Sequence, residues 1–487
     1  MAAPLFPFLF CRDRHYTLLT VAAFFAFAVL APKMGWGTVG EMVRGDTAGE
    51  ANVGGRSLLS AVTCGSYDSW LTNGGAVLYF VAILYLFLGI AIICDAYFES
   101  SLEHICERLN LSEDVAGATF MAAGSSAPEL FTSTMSLVSS TATNELGVAT
   151  IVGSAVFNIL IIIAATIIFA GQQLQLDWKP VTRDVVFYAA SIVFVLFIMR
   201  DGKVWWWEGV ISVFLYFVYV GFMTQNAKVM AWLDKKFANK VKDITDEEAG
   251  KEGKEGKEGK EEEEDDDDDG SPFDRPETAA EYPMWLLSVP WHAVYAITVP
   301  DSGKEGKEKW YLVSFFMSVF WISAISYGMV DAAAHLGCIL DVPEVVMGTI
   351  VLAAGTSVPD AIASVGVAKK GQGDMAVANA VGSNVFDIWL GLGLPWVIFL
   401  PSRGGYETVS TKQLWPSILI LAGILGLYYS SLIFNKFKLV KMHGYFFLFL
   451  YLLFMIYSIV GVWQMDVYDL KKEDVVANAT ATNTTGR

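Results

Sequence analysis

Long apolar stretches alternate with short polar connections through most of this chain, and they fall into two blocks. Each stretch is close to the ~20 apolar residues that a helix needs to cross the hydrocarbon core of a bilayer. The spans predicted in the first block are Val77–Cys94, Val115–Val138, Leu146–Ala170, Val185–Met199 and Val204–Met223. The spans predicted in the second block are Trp310–Val330, Val345–Val367, Met375–Leu400, Trp415–Phe434 and Tyr445–Trp463. This pattern predicts an all-α polytopic membrane protein with about ten transmembrane helices.

The remaining segments divide the chain into further regions. Arg12 and Arg14 precede an apolar stretch, Leu18–Ala31, that is too short to span a bilayer and is typical of a signal peptide. Pro32 would obstruct cleavage directly after Ala31, so an uncleaved signal anchor is the alternative. The predicted regions are a signal peptide or anchor (1–34), an external segment (35–75), a first membrane domain (76–223), a cytosolic acidic low-complexity loop (224–309), a second membrane domain (310–463) and a short external tail (464–487).

The loop between the blocks is strongly hydrophilic at first and becomes apolar towards its end. It contains a Gly-Lys-Glu repeat and then the acidic run Glu261–Asp269, which is typical of a solvated, disordered tether. The apolar patch Tyr282–Val299 is short and contains Pro290, so we expect it to lie at the membrane interface.

The distribution of basic residues predicts the orientation in the membrane. If the segment before Val77 is external, the most basic connections are cytosolic, as the positive-inside tendency expects. In this orientation Cys64 and Cys338 are both external, whereas Cys94 and Cys106 face the reducing cytosol. External thiols tend to oxidise, so we expect either a Cys64–Cys338 disulfide bond or two free thiols.

Composition and charge exclude several classes of protein. With 54% hydrophobic and only 17% charged residues, this chain of 487 residues is too apolar for a water-soluble globule. The net charge of −18 is concentrated in the acidic run, and an acidic chain is an unlikely nucleic-acid binder because the phosphate backbone selects basic surfaces. The sequence contains no C-x-x-C, H-E-x-x-H, P-loop, G-x-S-x-G or G-x-G-x-x-G pattern. We therefore expect neither an enzyme nor a bound cofactor.

Two stretches in separate blocks match each other in order, spacing and chemistry. We call them the first copy, Ala122–Glu129 followed by Gly153–Asn158, and the second copy, Ala353–Asp360 followed by Gly382–Asp387. They are five predicted spans apart, and this odd number means that the second copy crosses the membrane in the opposite sense. The sequence thus predicts two inverted repeats of five helices, with a binding site near the midplane where the repeats meet.

Each copy places an acid beside a proline in an apolar span. A carboxylate at mid-span costs roughly 2.5–3.5 kcal/mol on insertion scales, so Glu129 and Asp360 need an ionic partner. Pro128 and Pro359 each remove a backbone donor and free a carbonyl beside the acid. Gly124 and Gly355 lie four residues before these prolines, and we expect them to loosen the same turn.

Further oxygen-bearing side chains accompany the two acids. They are Ser125, Ser126, Ser154 and Asn158 in the first copy, and Thr356, Ser357, Ser383 and Asp387 in the second. Such an all-oxygen site with two or three carboxylates suits Ca2+, which takes 6–8 oxygen ligands, and it suits zinc or copper poorly. The alternative for one copy alone is a structural kink with a paired acid, and the alternative for Asn158 and Asp387 is a hydrogen bond between helices.

At these residues the chain resembles the sodium/calcium exchanger superfamily, and most closely its potassium-dependent branch. The resemblance rests on Asp114–Ser133, Gly147–Asn158 and Gly371–Val377. It implies a ten-helix core in which Glu129 and Asp360 are the central Ca2+ carboxylates, shared with Na+. Asn158, Asp387 and the flanking hydroxyls would complete the sites.

The resemblance also bears on K+. Asp387 matches the potassium-dependent branch, whereas potassium-independent relatives typically have Asn at this position. Ala363, in contrast, lies where the potassium-dependent branch usually has Thr. We favour K+ dependence, because a third charge changes the site more than one hydroxyl does. The resemblance then implies exchange of Na+ for Ca2+ with K+ co-transport by alternating access, with the helices around Val77–Cys94 and Trp310–Val330 sliding over the core. The plasma membrane is the expected location, with an endomembrane as the alternative.

Rival functions stay open at this stage. Within the class they are a K+-independent or an H+-coupled Ca2+ exchanger. An intramembrane aspartyl protease also carries paired acids, but it needs Tyr-Asp and Gly-x-Gly-Asp motifs, whereas Glu129 and Asp360 follow proline. A cation channel usually places its acids in rings at a pore mouth. The expected partners are therefore Ca2+, Na+ and K+ as substrates and the lipid bilayer, without nucleic acid.

Overall fold

The computed structural model describes residues 74–109, 122–139, 142–169, 174–223, 282–304, 306–340, 342–369, 373–409 and 411–462. The signal segment, nearly all of the external segment, Cys64, the acidic part of the loop and the C-terminal tail lie outside these residues, so the predictions for them are untested. The predicted domain boundaries likewise stay predictions.

The described chain is almost entirely helical. The helices of its first half are α1 (Ala76–Arg108), α2 (Ala122–Ser125), α3 (Ala127–Val138), α4 (Asn144–Phe169), α5 (Trp178–Ile198) and α6 (Trp206–Met223). The helices of its second half are α7 (Tyr282–Thr298), α8 (Tyr311–Leu340), α9 (Glu344–Thr356), α10 (Val358–Lys369), α11 (Gly373–Phe386), α12 (Gly393–Phe399), α13 (Thr411–Phe434) and α14 (Lys441–Ile456). The short strands are β1 (Leu174–Gln175), β2 (Lys203–Trp205), β3 (Tyr406–Thr408) and β4 (Lys438–Leu439).

Several helices contain or end in a π-helical turn. These turns are Cys94–Glu99 in α1, Asn158–Ile162 in α4, Met347–Leu352 in α9, Asp387–Gly391 after α11 and Tyr457–Val462 after α14. Such turns are frequent at functional sites because they shift the helix by one residue and redirect its side chains.

Most of the predicted spans are present as long apolar helices. Among the described residues, eight helices are long and apolar enough to cross a membrane, and α9 with α10 forms a ninth candidate bent by 44°. The predicted span Val115–Val138 begins outside the described residues, so the number ten stays a prediction. The predicted ends of α1 and α8 were too short, since these helices continue to Arg108 and Leu340. Hydropathy marks only the apolar part of such a helix and not its polar extension.

Two separate hydrophobic cores hold the helices together. The larger core joins α4, α5, α6 and α11 to α14, with fully buried residues such as Ile159, Tyr188 and Phe386. The smaller core joins α1, α7 and α8 and also contains residues of α3, α4 and α9, among them Phe131 and Met347. The described protein therefore consists of a large bundle and a smaller packing unit built around α1 and α8.

Within the smaller unit, α1 and α8 pack lengthwise in opposite directions. Aromatic contacts join them at both ends: the Tyr79 and His335 rings stack at 5.4 Å, and so do the Phe98 and Phe315 rings. The two helices that were predicted to slide over the core therefore pack together as a pair.

The four strands connect the two halves of the chain. Strand β1 pairs with β4 and β2 pairs with β3, both antiparallel. In the first half of the chain, β1 precedes α5 and β2 follows it; in the second half, β3 precedes α13 and β4 follows it. Strand β1 therefore corresponds to β3, and β2 corresponds to β4. Each ribbon pairs a strand that precedes its helix with a strand that follows the helix of the other half. This pairing has the symmetry that two repeats would produce.

The apolar patch at the end of the loop does not lie flat at an interface as we expected. It forms α7, which packs along α1: Trp291 Nε1 donates to the Tyr85 carbonyl at 3.2 Å, and the Tyr295 hydroxyl donates to the Gly89 carbonyl at 2.9 Å. These contacts advance in step along both helices, so α7 and α1 run parallel. The Trp291 and Tyr295 side chains of this helix thus satisfy their polar atoms on a neighbouring helix.

The cysteines partly follow the predicted topology. Cys94 and Cys106 are free thiols, and Cys338 is disulfide-bonded. The partner of Cys338 lies outside the described residues, so its pairing with Cys64 stays a prediction.

Gly89 provides a test of the contact between α7 and α1. A Cβ atom at Gly89 would lie 2.6 Å from the Trp291 ring, so Gly89→Ala should lower the free energy of unfolding by about 1–3 kcal/mol through overpacking. Thermal unfolding in detergent measures the effect.

Gly366→Ala on α10 is the matched control, since a Cβ there meets no atom within 4 Å and alanine favours a helix. A melting temperature at or above the wild-type value in both variants would show that Trp291 does not occupy this position.

Candidate cation-binding site

The helix in each copy is interrupted one residue before its Ala-Pro or Val-Pro pair. Ser126 separates α2 from α3, and Ser357 separates α9 from α10. Pro128 and Pro359 lie in the first turn of the helix that follows, where a missing N–H costs least. The interruption places a hydroxyl residue, Ser126 or Ser357, three positions before each acid, Glu129 or Asp360.

The two glycines in these stretches lie close to side chains of α1. A Cβ atom at Gly355 would lie 2.0 Å from the Phe87 ring of α1, and one at Gly124 would lie 3.2 Å from Leu102, also on α1. Glycine at 355 permits the close approach of α1. The same helix thus covers both interruptions.

A hydrogen bond joins the two copies at the first acid. The Ser357 hydroxyl of the second copy donates to Oε1 of Glu129 of the first copy at 3.1 Å. Both side chains are fully buried. The second oxygen of Glu129, Oε2, makes no hydrogen bond.

A complementary contact joins the copies at the second acid. The Asn158 amide lies 3.2 Å from Oδ2 of Asp360, 3.3 Å from the Ser383 hydroxyl and 3.1 Å from Oδ1 of Asn384. Its two hydrogens can satisfy two of these acceptors at once. Asn158 therefore makes hydrogen bonds between helices, which was the alternative to a role in ion binding. The side-chain oxygen of Asn158, Oδ1, has no hydrogen-bond partner.

Asp387 begins a π-helical turn, as Asn158 does in the first copy. It is fully buried, and neither of its carboxylate oxygens makes a hydrogen bond. It lies within the electrostatic reach of both Glu129 and Asp360. The structure thus brings the three predicted acids together at the meeting point of the two copies.

The predicted hydroxyls are distributed around these acids in two groups. Ser125 lies beside Asp360 and Ser126 beside Asp387, but neither hydroxyl makes a hydrogen bond as oriented. Ser154 and Thr356 instead donate to carbonyls of their own helices, at 3.0 Å and 3.4 Å. Their oxygens retain acceptor capacity, but the structure does not turn them towards the acids.

The most unusual feature of this region is a set of buried oxygens without hydrogen-bond partners. They belong to Ser125, Ser126, Glu129 (Oε2), Thr132, Asn158 (Oδ1), Asp360 (Oδ1) and Asp387 (Oδ1 and Oδ2). Leaving one such group unsatisfied costs about 1–3 kcal/mol, and more if it is charged. A cluster of them is stabilised by a species that accepts electron pairs, and a dehydrated cation is such a species.

No protein cation neutralises the acids within the described part of the chain. The ion pairs found there join His104 to Glu107, Arg183 to Asp184, Lys304 to Asp301 and His335 to Asp331. Nor do three His, Cys, Asp or Glu side chains among the described residues converge closely enough to hold a metal by themselves. A cation here would draw on hydroxyl, amide and backbone oxygens as well as carboxylates, a donor set that suits hard cations.

A family model decides the identity of this architecture. The model described as "Sodium/calcium exchanger protein" matches residues 79–225 and 310–460, which contain both copies. The chain belongs to the sodium/calcium exchanger family. The resemblance seen in the sequence is confirmed, and with it the expectation of a transporter rather than an enzyme. The family and the apolar helices together make the chain an integral membrane protein.

Its relatives include proteins of the potassium-dependent branch. The chain is 36% identical to human sodium/potassium/calcium exchanger 5, with 76% of this chain and 81% of the relative covered. It is 35% identical to mouse sodium/potassium/calcium exchanger 3, with 80% of this chain and 81% of the relative covered.

A solved exchanger structure supports the fold. The H+/Ca2+ exchanger CAX matches with a TM-score of 0.52 at 12% identity, covering 94% of both chains. The sodium-calcium exchanger NCX_Mj matches at 21% identity with a TM-score of 0.42, covering 78% of this chain and 97% of that chain.

Sequence reasoning missed two side chains of this region. Asn384 lies against Asn158, and its place in Gly-Ser-Asn-Val-Phe-Asp is taken by alanine in the first copy. That departure from the repeat was a usable signal. Thr132 is fully buried with a free hydroxyl, three residues after Glu129, where the second copy has Ala363 three residues after Asp360. The helical spacing of three placed it on the face of the acid.

Ca2+ binding tests the assignment of the second acid. In Asp360→Asn the side chain keeps its shape and loses its charge, so stabilisation by Ca2+ should largely disappear. For wild type at about 100 times Kd this stabilisation amounts to ~2.7 kcal/mol. The Ca2+-dependent shift in melting temperature in detergent measures it.

The matched control is Glu107→Gln, because Glu107 is 74% exposed at the end of α1 and should leave the shift unchanged. A full Ca2+-dependent shift in Asp360→Asn would remove Asp360 from the site.

Proposed function

We propose that the protein is a cation antiporter that exchanges Na+ for Ca2+, with K+ co-transported. The observation that carries this proposal is the cluster of three unpaired buried carboxylates surrounded by unpartnered hydroxyl and amide oxygens. The charge and the number of oxygens match a dehydrated Ca2+ ion, which takes 6–8 oxygen ligands at ~2.3–2.6 Å. The names of the relatives, which are sodium/potassium/calcium exchangers, support the choice of ions.

We assign the binding positions to the residues predicted from the two copies. Glu129 and Asp360 bind Ca2+ or Na+ in alternation, since two carboxylates neutralise either one Ca2+ or two Na+ ions. Asn158, Asp387 and the hydroxyls of Ser125, Ser126, Ser154, Thr356, Ser357 and Ser383 complete the sites. Thr132 joins this set because its free hydroxyl lies on the same helical face as Glu129.

Transport requires that the site open to one side of the membrane at a time. The division into two hydrophobic cores supports a mechanism in which the paired helices α1 and α8 move over the larger bundle. Phe87 and Leu102 of α1 contact the glycines beside the two interruptions, so displacement of α1 would expose one interruption or the other. A movement of this kind is the alternating access of secondary transporters.

The coupling ion is the part of this proposal that flux measurements decide. Ca2+ uptake into proteoliposomes is measured with Na+, K+ and proton gradients imposed one at a time. We place the protein in the plasma membrane, where an inward Na+ gradient would drive Ca2+ out. Uptake that follows the proton gradient alone would replace this function with H+/Ca2+ exchange.

Loss of either central charge should abolish flux. Glu129→Gln and Asp360→Asn should each reduce Na+-driven Ca2+ uptake to background, at least 20-fold, while the protein still reaches the membrane. Glu107→Gln should transport normally. Near-normal uptake in either acid variant would contradict the proposed site.

The K+ requirement should depend on Asp387. Asp387→Asn removes one buried charge, so Na+-driven Ca2+ flux should persist but no longer need K+. Ala363→Thr, which restores the hydroxyl that Thr132 supplies in the first copy, should lower the half-saturating K+ concentration. If wild-type Ca2+ flux does not depend on K+, the K+ part of the proposal is wrong. Ala363 would then have predicted the coupling ions better than Asp387.

A further inference from the structure

Helix α7 belongs to neither copy, and it packs on the smaller core alone. Its residues Trp291 and Tyr295 pack into that core. The structure describes α7 over its whole length, and none of its residues joins the larger hydrophobic core. On the opposite side of the helix, Leu286 and Ile297 are exposed, as side chains that face lipid are. The hydrophobic packing of α7 therefore attaches it to α1 and α8 and not to the large bundle.

Two hydrogen bonds attach α7 to the part of α1 that covers the site. The Trp291 indole donates to the Tyr85 carbonyl at 3.2 Å. The Tyr295 hydroxyl donates to the Gly89 carbonyl at 2.9 Å. These carbonyls lie on either side of Phe87, which packs against the second interruption. Both bonds end on main-chain atoms, so α7 holds the backbone of α1 and leaves the Phe87 side chain in contact with the site.

Tyr295 also connects α7 to α8. Its ring meets the Trp321 ring of α8 edge to face at 5.7 Å, and the Trp321 indole donates to the Thr298 hydroxyl at the end of α7 at 2.9 Å. Tyr295 is fully buried, and its ring also meets the Tyr97 ring of α1 at 6.1 Å. One buried side chain thus contacts both helices of the pair.

A further contact joins the segment after α7 to the far end of α1. The His104 ring donates through Nε2 to the Ser302 carbonyl at 3.0 Å. A displacement of α1 that left α7 behind would break this bond and the bonds from Trp291 and Tyr295. Interhelical hydrogen bonds in a membrane stabilise helix packing, so such a displacement is costly. A movement of α1, α7 and α8 together would break none of them.

We propose that α7 is the third member of the moving unit, and that Tyr295 is a positioning residue that keeps α1 and α8 aligned as the unit moves over the large bundle. The inference rests on the proposed exchange function, in which α1 uncovers the site. The movement is then one of three helices, and the end of the loop between the two blocks of the chain moves with them.

Tyr295→Phe tests the positioning role, because it keeps the ring and removes the hydrogen bond to α1. The free thiol of Cys94 on α1 reports the result, since it is buried within electrostatic reach of Tyr295. A maleimide reaches this thiol when the packed helices separate. Loss of an interhelical bond of ~0.6–1.7 kcal/mol should raise the alkylation rate of Cys94 by about 3- to 20-fold. Mass spectrometry of the full chain in detergent measures the rate, and an unchanged rate would overturn the role of Tyr295.

Tyr428→Phe is the matched control. Tyr428 is also fully buried, but it lies in the larger core. Its loss of a hydroxyl should leave the alkylation rate of Cys94 within twofold of the wild-type rate. A rise equal to that of Tyr295→Phe would indicate a general loosening of the protein and overturn the specific role of Tyr295.

Distances between spin labels test the movement of α7 directly. Ile297 of α7 is replaced by cysteine and labelled together with either Val77 of α1 or Leu427 of α13, and all three positions are exposed. Electron paramagnetic resonance measures both distances in proteoliposomes at saturating Na+ and at saturating Ca2+. We expect the Ile297–Val77 distance to stay constant and the Ile297–Leu427 distance to change. The opposite pattern, or no change in either distance, would overturn the three-helix unit.

Flux through the same labelled protein separates this inference from the proposed function. If Na+ drives Ca2+ uptake while α7 keeps its distance from α13, the exchange function stands and the three-helix unit is wrong. If the distances change as expected while uptake does not follow the Na+ gradient, the three-helix unit stands and Na+-driven exchange is wrong.

Discussion

The rest of this structure depends on three buried carboxylates that have no protein cation beside them among the described residues. Each would cost roughly 2.5–3.5 kcal/mol at mid-span if it remained charged and alone. The fold places Glu129, Asp360 and Asp387 where two chain segments from opposite halves meet. In the proposed function a mobile cation neutralises their charge, so binding and release of cations become part of the stability of the site.

The local features of the two copies follow from this constraint. Proline and serine interrupt each helix beside its acid, which supplies oxygens that an intact helix would use internally. The cross-copy bonds from Ser357 to Glu129 and from Asn158 to Asp360 hold the two interruptions together without neutralising the charge. One set of atoms therefore fixes the geometry, and another set is left free for the ion.

The site also lies at the boundary between the two hydrophobic cores. A cation bound there is contacted by the larger bundle, while α1, with Phe87 against Gly355, covers it from the smaller unit. A boundary between two well-packed units can shift with little loss of buried surface in either core. The packing of α1 and α8 against each other is consistent with movement of the two helices as a pair.

Much of this arrangement could be predicted from the sequence, because apolar length and repeated polar patterns leave direct signals. The apolar stretches predicted the helices, and the matched copies predicted which side chains would meet. The packing of α7 could not be predicted, since Trp291 and Tyr295 satisfy their polar atoms on another helix, and no periodicity reports that partner.

The central claim is that Na+ and Ca2+ compete for one set of carboxylates. Equilibrium binding of Ca2+ to the purified protein, measured at increasing Na+ with choline replacing Na+ at constant ionic strength, tests it directly. The account predicts that Na+ raises the apparent Kd for Ca2+ without changing the number of Ca2+ ions bound at saturation. Ca2+ binding that is indifferent to Na+, or a lower number of Ca2+ sites at an unchanged Kd, would contradict it.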